Sequence, residues 1–388
     1  MVRRIDVTGE TVGYWSAMDE LMAKQMYAGT FEPTVVVMHW DEETPCLDLG
    51  TYEDAARLDV DLAREEGFAV GRRYAFAGGT AVHTPDFPNY MLYYRREDTD
   101  IVTEADRSGH ANVAALQEFG LEAEYDSIGD IEIIKEEMKV KVMAGSAATF
   151  HLPDLWVSTD SVIWDFPPEG QILDDALSVP PEKFEDKDTD TLTGRMQPLS
   201  EVLEELGVDA TREAVIDELV AKNVEATIGE DAEIVRSEWT DEEESYIQQL
   251  APYFESDPWI NRVSSTRMCR RVDPDFEFGQ AAYKARKLVN VSVVLDDTGA
   301  IHDIVISGDM YVRPQPTATR SGILETLEDN LRGQDPTDEA ARVATIEEVL
   351  ARPNHEAPGI DPEHIASPLS RAAASTVPVR EHLAEIGR

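Results

Sequence analysis

The stretch Phe68–Tyr94, FAVGRRYAFAGGTAVHTPDFPNYMLYY, decides how the chain is read. A short apolar run leads into Arg72 and Arg73. A small-residue loop with Gly78 and Gly79 follows, then Thr80-Ala81-Val82, His83 and a second strand-like run, Tyr90 to Tyr94. The pattern predicts strand, glycine turn, strand, with two guanidinium groups at the mouth. Glycines let backbone N–H groups approach an anion closely, and arginine offers a rigid fork of donors to phosphate or carboxylate. A Gly-Gly between two strands is equally an ordinary hairpin turn, and the local sequence does not choose between the two.

Outward from this stretch, PTVVVMHW (33–40) predicts a buried strand, and residues 14–27 carry apolar side chains at helical spacing. Residues 46–50 predict a second short strand, and residues 51–66 a helix with Thr51 as its N-cap. A helix is expected over 103–119 and strands over 121–125, 131–134, 138–148 and 155–165, then helices from 171 onward. The acidic stretch 228–246 reads as a junction, giving units 1–240 and 245–388. In the second unit two alternating strands (286–296, 301–308) flank a DDTGA turn, and helices follow to residue 375; the last ten residues read as frayed.

The 388 residues carry 34 basic and 78 acidic side chains, a formal charge of −44, yet 42% are hydrophobic. That excludes a disordered polyanion and argues against a nucleic-acid partner, which requires a basic face. Acid spread over the whole chain points to a cytoplasm with molar salt, where the Debye length falls to roughly 3 Å and repulsion is screened. Cys46 and Cys269 make no disulfide framework, residues 1–15 hold no apolar signal core, and no run of 18 apolar residues occurs; a soluble cytoplasmic protein with no membrane partner is expected.

A second cluster lies at MKVKVMAGSAA (138–148). It holds two of the chain's nine lysines, Lys139 and Lys141, two apart and so on one face of a strand, next to the small run Ala144-Gly145-Ser146-Ala147-Ala148. Such a face suits a phosphate or a carboxyl-phosphate anhydride; a solvated strand face is the alternative. Cys46 is a candidate nucleophile or, more simply, a small buried hydrophobe. The histidines are scattered and give no metal-ligand set.

Arg-Arg, Gly-Gly, valine, histidine, a Lys…Gly-Ser-Ala strand and then a strand ending in acid: in this order the features resemble the lipoate–protein ligase A family, of haloarchaeal type and with a C-terminal accessory domain. Residues 288–314 and 324–333 are similar to that domain's strand–turn–strand and following helix. The resemblance implies an α+β fold: a biotin/lipoate ligase-like mixed sheet with flanking helices plus a smaller α+β C-terminal domain. It implies ATP-dependent attachment of lipoate to a lysine of a lipoyl carrier domain, of a 2-oxoacid dehydrogenase or the glycine cleavage carrier protein, through an acyl-adenylate with ATP and Mg2+. It assigns catalysis to Lys141 and Lys139. Ligand binding goes to Arg72, Arg73, Gly78, Gly79, Thr80, Ala81, His83, Asn89, Gly145, Ser146 and Ala147, and the acyl tail to a tunnel of Val35, Val37, Phe76 and Val82.

In the family the lysine stands three positions before the glycine of Gly-Ser-Ala; here that position is Val142 and Lys141 comes one earlier. On a regular strand Lys141 faces the wrong way, and a β-bulge between Lys141 and Gly145 restores it. The competing readings are a weakly active or inactive relative that binds a lipoyl carrier, an ATP-independent lipoyl or octanoyl transferase using Cys46, and a biotin ligase.

Overall fold

A computed structural model describes residues 1–40, 45–76, 78–126, 129–135, 138–149, 152, 154–165, 175–177, 196–284, 287–316 and 321–386. In chain order the first unit runs β1 (Val2–Glu10), α1 (Val12–Ala28), β2 (Thr34–Trp40), β3 (Cys46–Leu49), α2 (Val60–Glu65), β4 (Ala69–Arg72), β5 (Ala81–His83), β6 (Asn89–Arg95), α3 (Ile101–Glu118), β7 (Ala123–Asp126), β8 (Asp130–Lys135), β9 (Met138–Thr149) and β10 (Leu155–Val162). After a gap come α4 (Leu199–Glu205), α5 (Arg212–Ile228), β11 (Ile234–Ser237), α6 (Asp241–Phe254) and α7 (Asp257–Ile260).

Eight of these strands form one mixed sheet in the order β11-β1-β2-β6-β10-β9-β8-β7, and β4-β3-β5 form a small second sheet. The β-branched run of β2 is buried on both faces. Val36, Met38 and Trp40 join the core under α1 and α6, whereas Val35 and Val37 join the core under α3, α4 and α5. α1 starts where the Thr11 hydroxyl accepts from Tyr14 N and stops at Gly29, whose φ of 70° is the left-handed cap.

The second unit comprises α8 (Ser265–Cys269), β12 (Glu277–Lys284), β13 (Leu288–Leu295), β14 (Ile301–Gly308), α9 (Ile323–Leu331), α10 (Glu339–Leu350), α11 (Pro362–Ala374), β15 (Val377–Pro378) and α12 (Val379–Glu385). Its sheet runs β14-β13-β12-β15, with α9, α10 and α11 on one face and α8 and α12 on the other. β13, LVNVSVVL, is therefore buried along its whole length.

Four expectations change. The expected boundary at 240–245 falls inside the first unit: Ile247, Ala251 and Phe254 of α6 pack with Trp15 and Met18 of α1, and Glu243 accepts from both terminal nitrogens of Arg3 on β1 at 2.8 and 3.0 Å. The 51–66 helix shrinks to a 3-10 turn at Ala55–Arg57 and the six residues of α2. Thr51 is no N-cap; its hydroxyl bonds the carbonyl of Phe76 at 2.7 Å, and the Tyr52 ring is buried in the core of the second unit, so tertiary docking overrides local propensity. Of the C-terminal residues expected to fray, Val379–Glu385 form α12, whose Val379 and Leu383 pack into a core, directly after β15 pairs with β12. Finally, β4 and β5 are not a hairpin: both flank β3, parallel and antiparallel, while the Tyr90–Tyr94 run belongs to the large sheet. The helix expected from 171 lies mostly outside the described residues. Among those residues no helix is long and apolar enough to cross a membrane.

Candidate functional site

The face of the large sheet that carries Trp40 also carries a row of small and polar residues. Register aligns Met38, Asn89, Ser161, Ala144 and Asp130 across β2, β6, β10, β9 and β8. The small sheet lies over one end of this row, with the His83 ring stacked on Trp40 at 4.1 Å and 24°. Lys141 marks the other end, its ammonium 2.7 Å from Asp130.

Lys141 reaches this face because β9 bulges. Ile131 pairs with Met143 but Glu132 pairs with Lys141, so Val142 is the extra residue. Val140, Val142 and Met143 all join the helix-covered core with Ile131 and Ile133. Lys141 therefore faces the other way, with Ala144. Lys139 shares that face but sits farther out, half exposed and ion-paired with Glu124.

The two arginines separate. Arg73 Nη1 lies 3.2 Å from Asp48 Oδ2, and its Nη2 donates to Gly79 O at 2.6 Å. Asp48 Oδ2 also meets His83 Nε2 at 3.0 Å, so one buried carboxylate joins the arginine to the histidine. Arg72 is not an anion ligand. Fully buried, it donates from all three nitrogens to the carbonyls of Gly50, Thr51, Glu53, Ile260 and Val263 at 2.7–3.3 Å, which holds it inside the protein. Burial, with Arg262 near, pulls its guanidinium down to about 9. It is a rivet between the loop after β3 and the segment leading to the second unit.

Gly78 has φ of +100°, and its carbonyl sits where a Cβ on Gly50 would be, 1.9 Å away; the two glycines let these loops touch. Thr80 donates to Glu53 at 2.6 Å, Ala81 pairs with Asp48 on β3, and Asn89 accepts from Trp40 Nε1 at 2.8 Å. Gly145 and Ala147 face away from the cleft. A Cβ on Gly145 would meet Asp160 Oδ1 at 2.0 Å, on the side where Asp160 accepts from Ser108 (2.8 Å) and Asn112 (2.6 Å). The backbone of Ser146 pairs with Thr159 of β10. The expected acyl tunnel does not assemble: Val35 and Val37 point into the opposite core and Val82 into a third, leaving Phe76 beside Trp15.

Cys46 is buried, donates to Leu47 O at 3.5 Å, and burial pushes its thiol well up, which disfavours a thiolate. Among the described residues no group of three or more His, Cys, Asp or Glu could hold a metal ion. Asp48, Trp15 and Trp40 went unnoticed in the sequence; the one signal was an acid inside the apolar strand Cys-Leu-Asp-Leu.

A family profile described as lipoyl protein ligase A/B catalytic domain matches residues 14–220. Lipoate-protein ligase A subunit 1 of Thermoplasma acidophilum is 26% identical over 165 residues, 41% of this chain and 61% of that protein, so the match spans about three-fifths of the relative. Among solved structures, the bi-partite lipoate protein ligase of T. acidophilum, described with its E2 lipoyl domain, superposes with a TM-score of 0.53 at 20% identity over 67% of this chain and 95% of that one. A lipoate-protein ligase A bound with ATP gives 0.52 at 17% identity over 67% and 97%. P. falciparum LipL1 in complex with lipoate gives 0.58 at 13% identity over 92% and 95%. These likenesses carry the fold, and the profile, covering more than half the sequence, carries the kinship: the chain belongs to the lipoyl protein ligase A/B catalytic domain family.

Proposed function

We propose that the protein uses ATP to attach lipoate, or a related acyl group, to a lysine of a lipoyl carrier domain, of a 2-oxoacid dehydrogenase or the glycine cleavage carrier, through an acyl-adenylate. The observation that carries this is the bulge at Val142, which turns Lys141 onto the same face as Ala144, Ser161 and Asn89.

In the first step a carboxylate oxygen of the acid attacks the α-phosphorus of ATP, the bond to the β-phosphate breaks, and pyrophosphate leaves. Charge on the five-coordinate phosphorus needs a fixed cation, and Lys141 supplies it once its ammonium turns from Asp130. Arg73 and the backbone around Gly78 and Gly79 bound the same cleft. In the second step the acceptor amine attacks the acyl carbon, the acyl–phosphate bond breaks, AMP leaves and the amine loses a proton. Magnesium would ride on the nucleotide's own phosphates, since the described carboxylates form no cage for it. The second unit, riveted to the loop after β3, serves as the accessory domain. The charge of −44 fits work in a salt-rich cytoplasm.

Lipoate-dependent ATP–pyrophosphate exchange in molar KCl tests this. Lys141→Ala should lower exchange by about a hundredfold or more, the size of losing one preorganised charge-stabilising group. Lys139→Ala, at the exposed end of the strand, should cost much less. Unchanged exchange in both variants removes the lysine assignment.

A further inference from the structure

The rear of the large sheet carries a buried polar network that takes no part in the chemistry above. Asp160 of β10 stands in register with Tyr90 of β6 on one side and Gly145 of β9 on the other. Over it lie Ser108 and Asn112 of α3 and Asn223 of α5. Tyr90, Ser108, Asn112, Asp160 and Asn223 are each at most 4% exposed, and every polar atom of their side chains has a partner. Buried polar groups are costly unless bonded, and a network completed in this way is rigid.

That rigidity bears on one strand. Asp160 rests against Gly145, where a Cβ would lie 2.0 Å from Asp160 Oδ1. Gly145 N donates to Gly129 O at 2.7 Å, and a Cβ on Gly129 would lie 2.3 Å from Gly145 O, so the two backbones touch. Asp130 follows Gly129, and its carboxylate is the one 2.7 Å from the Lys141 ammonium. Lys141 itself stands on the same strand as Gly145, across the bulge at Val142. A bulge interrupts the ladder, so the strand beside it must be pinned if Lys141 is to keep one direction. Asp160 therefore reaches Lys141 along β9 and through Gly129–Asp130, while its carboxylate stays behind the sheet.

The hydrogen count shows what Asp160 contributes. Ser108 has one hydroxyl proton and two acceptors at 2.8 Å, Asp160 Oδ2 and Asn223 Oδ1. A proton on Asp160 Oδ2 donates to Ser108 and frees the Ser108 proton for Asn223, in line with burial raising this carboxyl to about 6. Shape and bonding at this position count for more than charge. An amide, accepting from Asn112 and donating to Ser108, fills the same place.

We propose that Asp160 is a positioning residue: wedged between α3 and Gly145, it fixes the course of β9 and so aims Lys141 at the cleft. This rests on the acyl-ligase reading above and adds to it a part of the protein that touches no substrate.

The test is ATP–pyrophosphate exchange in molar KCl for Asp160→Ala and Asp160→Asn, each made in the parent and in Lys141→Ala, with backbone deuterium uptake of every protein. Asp160→Ala should lower kcat about tenfold or more while KM for ATP moves less than about twofold, since a displacement of about 1 Å can cost a hundredfold. Asp160→Asn should recover most of that loss. In Lys141→Ala, Asp160→Ala should add nothing, because the group it aims is gone, whereas a purely structural loss takes the same fraction in both backgrounds. Uptake should rise over 138–146 and stay at the parent's level over β13. Gly145→Ala removes no hydrogen-bonding group and presses on Asp160 from the strand side, so it should act in the same direction and covers the case in which Asp160→Ala does not fold. An equal fractional loss with and without Lys141, or unchanged uptake over 138–146, overturns the proposal. Uptake needs no activity, so a parent without exchange removes the ligase reading while the hold of Asp160 on β9 is still decided.

Discussion

Behind the large sheet, toward α3 and α5, Asp160 is fully buried and its oxygens take Ser108 and Asn112, while Asn223 ties Tyr90 into the same network. In front of the sheet Asp48 is as deeply buried, yet among the described residues it leaves one oxygen, and its neighbours Arg73, His83 and Trp15 one nitrogen each, without a partner. Both are carboxylates inside apolar surroundings, where an unsatisfied polar group is costly. The first network closes on itself among the described residues; the second does not. The same contrast separates adjacent residues, for every nitrogen of Arg72 donates to a carbonyl, whereas Arg73 Nε has no partner among the described residues.

Arg72→Ala is the harshest test of that contrast. Five carbonyls lose a charged donor at once, and we expect about 3–5 kcal/mol of lost stability in denaturant titrations at molar KCl, against a smaller loss for Arg73→Ala. Equal losses would erase the distinction between the two arginines. Next comes Asp160. Burial raises its carboxyl to about 6 in spite of its hydrogen bonds. The native carboxyl therefore binds a proton more readily than the unfolded chain, whose Asp titrates near 4, so this group's contribution falls as pH rises from about 4 to 6 and its cost persists above. Two units correspond to about 3 kcal/mol. Asp160→Asn should flatten the stability–pH curve between pH 4 and 6 by that order, and an identical slope in parent and variant refutes the account. The smallest effect is reserved for Gly145→Ala: the new methyl meets Asp160 Oδ1, and overpacking of this kind costs about 1–3 kcal/mol. A neutral Gly145→Ala would show that the network gives way, making the rear of the sheet softer than drawn.

Much of this molecule was legible beforehand. The β-branched run of β2, the helical spacing of α1 and the lysine pair on β9 announce themselves through period and composition. The small sheet did not, because β4 and β5 meet through β3 and not through the turn between them, and pairing partners are tertiary information. Of the Arg-Arg pair, Arg72 ends β4 and is tied to buried carbonyls while Arg73, just past the strand, turns to Asp48, and nothing in the sequence tells which does which. Tyr52 was read into a helix because nothing local says that its ring belongs to another unit's core. His83 was legible as a candidate, but its role waits on Asp48, thirty-five residues away in sequence and one strand away in space.

The bulge at Val142 has a consequence for how such chains are compared. One residue gained in mid-strand normally inverts everything on one side of it, an insertion that folding rarely forgives. Here Val142 folds into the same core as Met143, so the reversal cancels within a single position. Counted along the chain, Lys141 stands four places before Gly145; in three dimensions the bulge absorbs one of them. Deleting Val142 should then straighten β9 while leaving Lys141 on the same face.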